Sequence, residues 1–269
     1  MKIMLVRDRN VLNNNWLAYF ANLLHERGHE VVIACDTYGK LGVSAPGHEL
    51  EPGVRLVNVN GKTSSPLQNF WRRIRCKALP SWHLFDRLIK AEKPDVIICY
   101  FPVDLYNVTR FQHHNIPIVQ MVHGYPPMIL DKVLHKNPLS RAFCRQSFAR
   151  INTWQVLMNS YKKEIDPFFA PQNVVRIANP VKQYAENEMA DLSAEKKRII
   201  YVARIEKKTK RPHLLVEAFA KIAAEFPDWK VEIWGMRKYP EYEKEINDFI
   251  RAHNLTGQVT LMGYTEDVE

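Results

Sequence analysis

Arg204, Lys207, Lys208, Lys210 and Arg211 crowd one short stretch, opposed there only by Glu206. Guanidinium and ammonium groups at this density can hold an anion, and their place in the chain suggests which one. The preceding run "IIYVARI" (199–205) is continuous, apolar and β-branched, as expected of a strand buried on both faces. From Leu214 the period changes: Leu214, Ala218, Ile222 and Phe226 recur every fourth position, the stripe of an amphipathic helix predicted over 212–226. Pro212 suits the first helical turn, where early N–H groups lack helical partners. A strand-to-helix turn offers backbone N–H groups to a phosphate. Arg204 and Lys210 would add charge-assisted bonds to a diphosphate. The plainer alternative is a lysine cluster that serves solubility, and charge alone does not separate the two.

The elements that must position these residues alternate along the whole chain. "KIMLV" (2–6) leads into a helical stretch, "WLAYFANLLHERG", with Gly28 as its stop and "EVVIAC" (30–35) as the next strand. This βαβ unit is followed by strands at 53–59, 95–100, 116–124, 153–158 and 173–180. Helical patterns fall within 67–92, 103–114, 139–150 and 160–168. Residues 182–197 contain no strand-like run and read as a linker. Beyond it come a strand at 198–205, the helix at 212–226, a strand at 230–236, a helix at 239–253 and a strand at 258–264. The fold class is therefore α/β, two doubly wound parallel-sheet domains, with ligands expected at the carboxyl ends of the strands. The second sheet is expected to be incomplete, since its last strand lacks a covering helix.

With 269 residues, a formal charge of +9 and a pI near 9.3, the chain suits an anionic partner. Helix-turn-helix, zinc-finger and RNP-like patterns are absent from the sequence, so nucleic acid is not expected. Cys35, Cys76, Cys99 and Cys144 are far apart and read as buried reduced thiols. His113–His114 point in different directions on a helix and lack a third ligand, so they are taken as surface residues. No run reaches membrane-spanning length and no signal-peptide pattern opens the sequence, which predicts a cytoplasmic protein.

"VARIEKKTKRPHLLVEAFAKI" resembles the pattern G/A-R-(few residues)-K-G-x-x-x-L-(I/L)-x-A-F of retaining nucleotide-sugar glycosyltransferases of family four, which have the GT-B fold of two Rossmann-like domains. "FPDWKVEIWG" and "NLTGQVTLMGYTEDV" resemble that family's next two strands, and "RGHEVVI", "VHG" and "IANPV" its landmarks in the first half. The resemblance implies an N-terminal acceptor-binding domain over 1–181, the linker 182–197, and a partial nucleotide-sugar-binding domain over 198–269. It implies that Arg204 and Lys210 grip the donor diphosphate. Lys208 is the alternative, because the family's usual Arg-to-Lys distance is one residue shorter than that to Lys210. Gly235 and Met262–Gly263–Tyr264 match stretches that approach the nucleotide through backbone, while a tight-turn glycine is an equal reading of Gly235. His123 matches a family histidine that faces sugar and acceptor, where a structural hydrogen bond is the other reading.

Two departures from the pattern stand out. The family's glycine-rich loop after the first strand here reads "RDRNVLNNN" (7–15), in which Arg7, Arg9, Asn13 and Asn14 can supply side-chain donors on the acceptor side. The family's paired glutamates would lie beyond residue 269. Glu217 and Glu225 share their spacing but read as solvated helix residues, so the chain as it stands is expected to be inactive. With no D-x-D motif and no carboxylate pair matching glycoside hydrolysis, the leaving nucleotide would be stabilised by Arg204 and Lys210 without a metal or other cofactor. In "FWRRIRCKALPSWHLF" (70–85), Arg72, Arg73, Arg75 and Lys77 alternate with aromatics. This reads either as a peripheral contact with anionic membrane or as a surface helix with its aromatics in the core.

The expected activity is retaining, hexosyl-type transfer from a nucleotide-diphosphate sugar to a glycan or lipid-linked acceptor, in cell-surface polysaccharide or lipopolysaccharide synthesis at the inner face of the membrane. The alternatives are another GT-B enzyme, such as a nucleotide-sugar epimerase, and a non-catalytic nucleotide-sugar or membrane-binding module.

Overall fold

The computed structural model describes residues 1–7, 15–35, 49–59, 67, 82–109, 115–134, 138–169, 173–181, 184–189, 196–236 and 239–265. It divides into two compact units, Met1–Gln183 and Tyr184–Glu269.

In the first unit, β1 (Lys2–Arg7), β2 (Glu30–Cys35), β3 (Arg55–Asn58), β4 (Val96–Cys99), β5 (Ile118–Val122), β6 (Thr153–Val156) and β7 (Val174–Arg176) form a seven-stranded sheet. Its order is β3-β2-β1-β4-β5-β6-β7 and every pair is parallel. The helices are α1 (Asn15–Glu26), α2 (Trp82–Glu92), α3 (Pro102–Thr109), α4 (Pro126–Leu134), α5 (Pro138–Phe148) and α6 (Ser160–Phe169). The apolar runs are continuous because the strands are buried on both faces. On β1, Ile3 and Leu5 join a core with Leu17 and Ala21 of α1. Met4 and Val6, pointing the other way, join a second core with Phe85 and Ile89 of α2 and Leu105 of α3. α1 stops as its sequence predicts. Gly28 takes φ 81°, its N–H bonds the His25 carbonyl and the His29 N–H bonds that of Leu24, a left-handed C-terminal cap that glycine adopts without steric cost.

The order of strands reverses between β1 and β4. Crossovers leave in opposite directions from that point, which opens a crevice beyond the carboxyl ends of these two neighbours.

In the second unit, β8 (Arg198–Val202), β9 (Lys230–Trp234) and β10 (Val259–Gly263) form a parallel sheet in the order β10-β9-β8. α7 (Pro212–Ala220) and α8 (Pro240–Ala252) share one core with Val231, Ile233, Val259 and Leu261. Both helices therefore cover the same face.

This arrangement corrects three expectations. Among the described residues β8 pairs with β9 alone and is not buried on both faces: Ile200 and Val202 are 52% and 49% exposed on the face opposite the helices. The row Leu214, Ala218, Ile222, Phe226 is exposed, while Pro212, Val216, Phe219 and Ala223 face the core. Apolar residues occupy both rows, and periodicity alone could not choose between them. The helix also ends at Ala220, so Glu225 lies in the turn beyond it, and both Glu217 and Glu225 are exposed. A helix that was not expected, α4, begins at Pro126, where proline's fixed φ suits a first turn.

Cys35, Cys99 and Cys144 are buried and not in disulfides, as expected. Cys76, His113, His114 and the basic residues Arg72, Arg73, Arg75 and Lys77 lie outside the described residues. Among the described residues no helix is long and apolar enough to cross a membrane.

Candidate functional site

The crevice of the first unit is built from the residues that end its strands. Arg7, the last residue of β1, lays its guanidinium carbon 4.4 Å from the centroid of the Tyr100 ring and 4.2 Å from that of Phe101. Those two rings, just beyond β4, meet edge to face. Their backbone is held by Asp104, a buried carboxylate in the first turn of α3 that accepts from the Phe101 N–H at 2.6 Å. The Asp104 N–H in turn donates to the Phe101 carbonyl. This reciprocal pair caps the helix and sets where Phe101 stands.

His123 follows β5. Its imidazole stacks on Tyr100, with centroids 4.4 Å apart and planes 15° apart, and meets Trp16 of α1 edge-on at 4.5 Å. Burial holds its pKa down to about 4, the positive charge of Arg7 acts the same way, and the Asn179 side chain pulls weakly upward. The ring is therefore neutral at neutral pH. Its Nε2 is buried without a hydrogen-bond partner among the described residues. Asn179 reaches this place because its segment is tied down twice: Gln155 Nε2 donates to the Ile177 carbonyl and Tyr19 Oη to that of Val181.

The structure thus brings Arg7 and His123 together. Arg9, Asn13 and Asn14 lie outside the described residues. Trp16, Tyr100, Phe101 and Asn179 were not singled out in the sequence. In "CYFPVD" the signal was an aromatic pair at a strand end ahead of a proline and an aspartate that start a helix.

In the second unit the carboxyl ends are stitched together by backbone. The Gly235 N–H donates to the Gly263 carbonyl at 2.7 Å, the Ala203 N–H to Trp234 and the Ile205 N–H to Met236. A Cβ on Gly235 would overlap the Ala203 carbonyl oxygen, so the close approach of the chains requires glycine there. Gly263 has φ 99° and follows a bulge that turns Met262 outward, while Tyr264 beyond it is exposed.

Arg204 stands directly beyond this junction, 58% exposed and 3.3 Å from Glu206, whose side chain is nearly buried. The three lysines that follow differ. Lys207 Nζ is paired with Glu245 of α8 at 2.5 Å, whereas Lys208 and Lys210 make no ion pair among the described residues. The Lys210 carbonyl accepts from Tyr201 Oη.

The start of α7 is not an open backbone cradle. Arg211 caps it in a left-handed conformation (φ 52°), Pro212 has no N–H, the His213 N–H donates to Tyr242 Oη and the Leu214 N–H to the Arg211 carbonyl. An anion here would have to be met by side chains. No group of three or more His, Cys, Asp or Glu that could hold a metal occurs among the described residues.

Comparison with known families decides where the chain belongs. The profile of Glycosyltransferase Family 4 matches residues 14–182, and that of Glycosyl transferases group 1 matches residues 185–269. The chain belongs to glycosyltransferase family 4. No curated protein matches it by sequence. Among solved structures it shares the GT-B fold of TarM, at 13% identity with a TM-score of 0.68 over 98% of this chain and 77% of that one. Another TarM structure, of the S. aureus protein, contains Fondaparinux, α-GlcNAc-glycerol and UDP. Anabaena HepE in complex with UDP is 13% identical, with a TM-score of 0.66 over 100% of this chain and 70% of that one. A Listeria monocytogenes protein described as a UDP-N-acetylglucosamine 2-epimerase is 12% identical, with a lower TM-score of 0.56 over 98% and 69%. In this glycosyltransferase both groups of residues stand at the carboxyl ends of parallel strands, where α/β sheets bind ligands.

Proposed function

We propose that this glycosyltransferase moves a hexose-type sugar, with retention, from a nucleotide-diphosphate donor to a glycan or lipid-linked acceptor, in assembly of a cell-surface polysaccharide or lipopolysaccharide. The observation that carries this reading is the placement of Arg204 at the glycine-lined junction of β8, β9 and β10. A guanidinium there can meet a diphosphate beside backbone that comes close enough for a nucleotide to lie on it. Lys210 and Lys208 flank it in sequence and add charge. As the sugar–phosphate bond breaks, negative charge grows on the leaving diphosphate, and preorganised cations stabilise that growth without a metal.

In the first unit, His123 offers a neutral imidazole to a hydroxyl of the sugar or acceptor. Asn179 adds a polar group and Arg7 a cation beside it. Neutrality suits His123 to orienting a hydroxyl, while the leaving phosphate takes the acceptor's proton. The UDP found with TarM and HepE supports a nucleotide donor, and the α-GlcNAc-glycerol found with TarM supports a glycan-type acceptor. The basic aromatic stretch 70–85 would bring the enzyme to anionic membrane.

The first test is nucleotide binding by the purified chain, with turnover as a separate readout. Calorimetry with nucleoside diphosphates and the matching nucleosides is expected to show that Arg204→Ala weakens the diphosphate far more than the nucleoside; equal losses would refute the grip. The anomeric configuration of the product, read by NMR, decides retention. Flotation with anionic but not neutral vesicles is expected if the membrane contact exists.

A further inference from the structure

We infer that Arg7 is a positioning residue that acts through Tyr100 on His123, setting the plane and the charge state of the imidazole presented beyond β5. The inference rests on the proposed contact between His123 and a sugar hydroxyl, and adds a device that keeps that contact available.

The geometry is a chain of flat groups. Phe101 and Tyr100 each lie against the Arg7 guanidinium, at 4.2 and 4.4 Å, and Tyr100 is itself stacked on His123 at 4.4 Å. A guanidinium resting on two rings is held in place by cation–π attraction that lysine, with its compact ammonium, reproduces poorly. Tyr100 is thereby fixed from the guanidinium side, and the imidazole has little freedom to turn, since Trp16 meets it edge-on at 4.5 Å.

Charge works in the same direction as shape. Among the described residues, the groups that face the imidazole are Arg7 from β1, Trp16 from α1, Tyr100 from beyond β4 and Asn179 from beyond β7. Arg7 is the charged one among them, and its positive charge opposes a second positive charge on the ring, in addition to the effect of burial. An imidazolium has two N–H donors and no acceptor, whereas the neutral ring keeps one of each. The buried Nε2 of His123 can therefore accept from a hydroxyl only while the ring stays neutral and correctly turned, and protonation makes it a donor instead.

The experiment follows the imidazole signal of His123 by NMR as pH falls, in the full chain without substrate, with His123→Asn identifying the signal. The wild type should titrate near 4. Arg7→Met, which keeps length and loses charge, should raise the proton affinity about tenfold, one pH unit. Arg7→Lys should hold most of the depression but let the ring turn, which would show as weaker nucleotide-sugar binding at a nearly unchanged His123 titration. Phe101→Leu removes an exposed ring from the clamp and should give a smaller rise. It also serves if Arg7→Met folds poorly. An unchanged titration in both Arg7→Met and Phe101→Leu would overturn the inference. The pH below which nucleotide-sugar binding weakens, read by calorimetry, should move up with the titration. A titration that moves without that shift in binding would leave the Arg7 coupling standing and refute the sugar contact.

Discussion

Arg204 and Lys207 carry the same charge three positions apart, yet the fold gives them different surroundings. Lys207 reaches back to both carboxylate oxygens of Glu245, while Arg204 stands beyond the strand ends with Glu206 beside it. A charge-assisted hydrogen bond is worth roughly 1.5–3 kcal/mol. Arg204→Ala should therefore weaken nucleoside-diphosphate binding at least about tenfold by calorimetry, and Lys207→Ala by less than about twofold. His123 makes a second prediction at this scale. Its folded pKa is about 4, below the 6.5 expected when unfolded, so the unfolded chain binds more protons between these values. The stability this represents is complete above pH 6.5 and is lost as pH falls toward 4. Urea midpoints should drop across that window in the wild type, and His123→Asn should flatten the slope.

At the scale of elements, the junction of β8, β9 and β10 depends on one missing side chain. Gly235 lies against the Ala203 backbone, and backbone cannot move aside as a flexible side chain would. Gly235→Ala should destabilise the chain by about 2 kcal/mol or more, as overpacking does, and loosen the position of Arg204. Gly257→Ala is the matched control. A Cβ there meets nothing within 4 Å, so urea unfolding should scarcely change. The Asp104 cap plays the corresponding part in the first unit, because the helix start it closes also fixes Phe101. Strand identity was readable from apolar runs, since burial on both faces leaves that trace in β1, β2 and β5. The core-facing row of α7 was not, because Leu214 and Ile222 are as apolar as the residues that face inward.

At the scale of the whole molecule, charge is distributed unevenly between roles. At the amino ends of β1, β2 and β3, Lys2 and Arg55 both pair with Glu92 and Glu30. Hydrogen bonds from Arg55 and Lys2 lower the Glu92 pKa to about 2 from 4.5. A depressed carboxylate stabilises the fold above pH 4.5 and loses that contribution as pH falls toward 2. Glu92→Gln should cost roughly 1–2 kcal/mol at pH 7 and almost nothing at pH 2, measured by denaturant unfolding. This acid-sensitive step lies below the one assigned to His123, so the two variants should flatten different parts of the same curve. The excess of +9 remains available for an anionic partner, and binding of a nucleotide diphosphate should weaken as salt is raised.

The sequence by itself determined the alternation of strands and helices, the α/β class and the cluster of cations after β8. Each of these is written in local periodicity and residue type. His123 and Arg7 were legible as separate candidates at strand ends. Only the tertiary structure decided that they share one crevice, because the neighbour relation of β1, β4 and β5 comes from strand order and leaves no mark on any single stretch. Tertiary structure also decided that Lys207 is committed to α8 and that Ile200 and Val202 of β8 stand exposed. Partners far apart in the chain are chosen by packing and crossover direction, which apolar spacing does not encode.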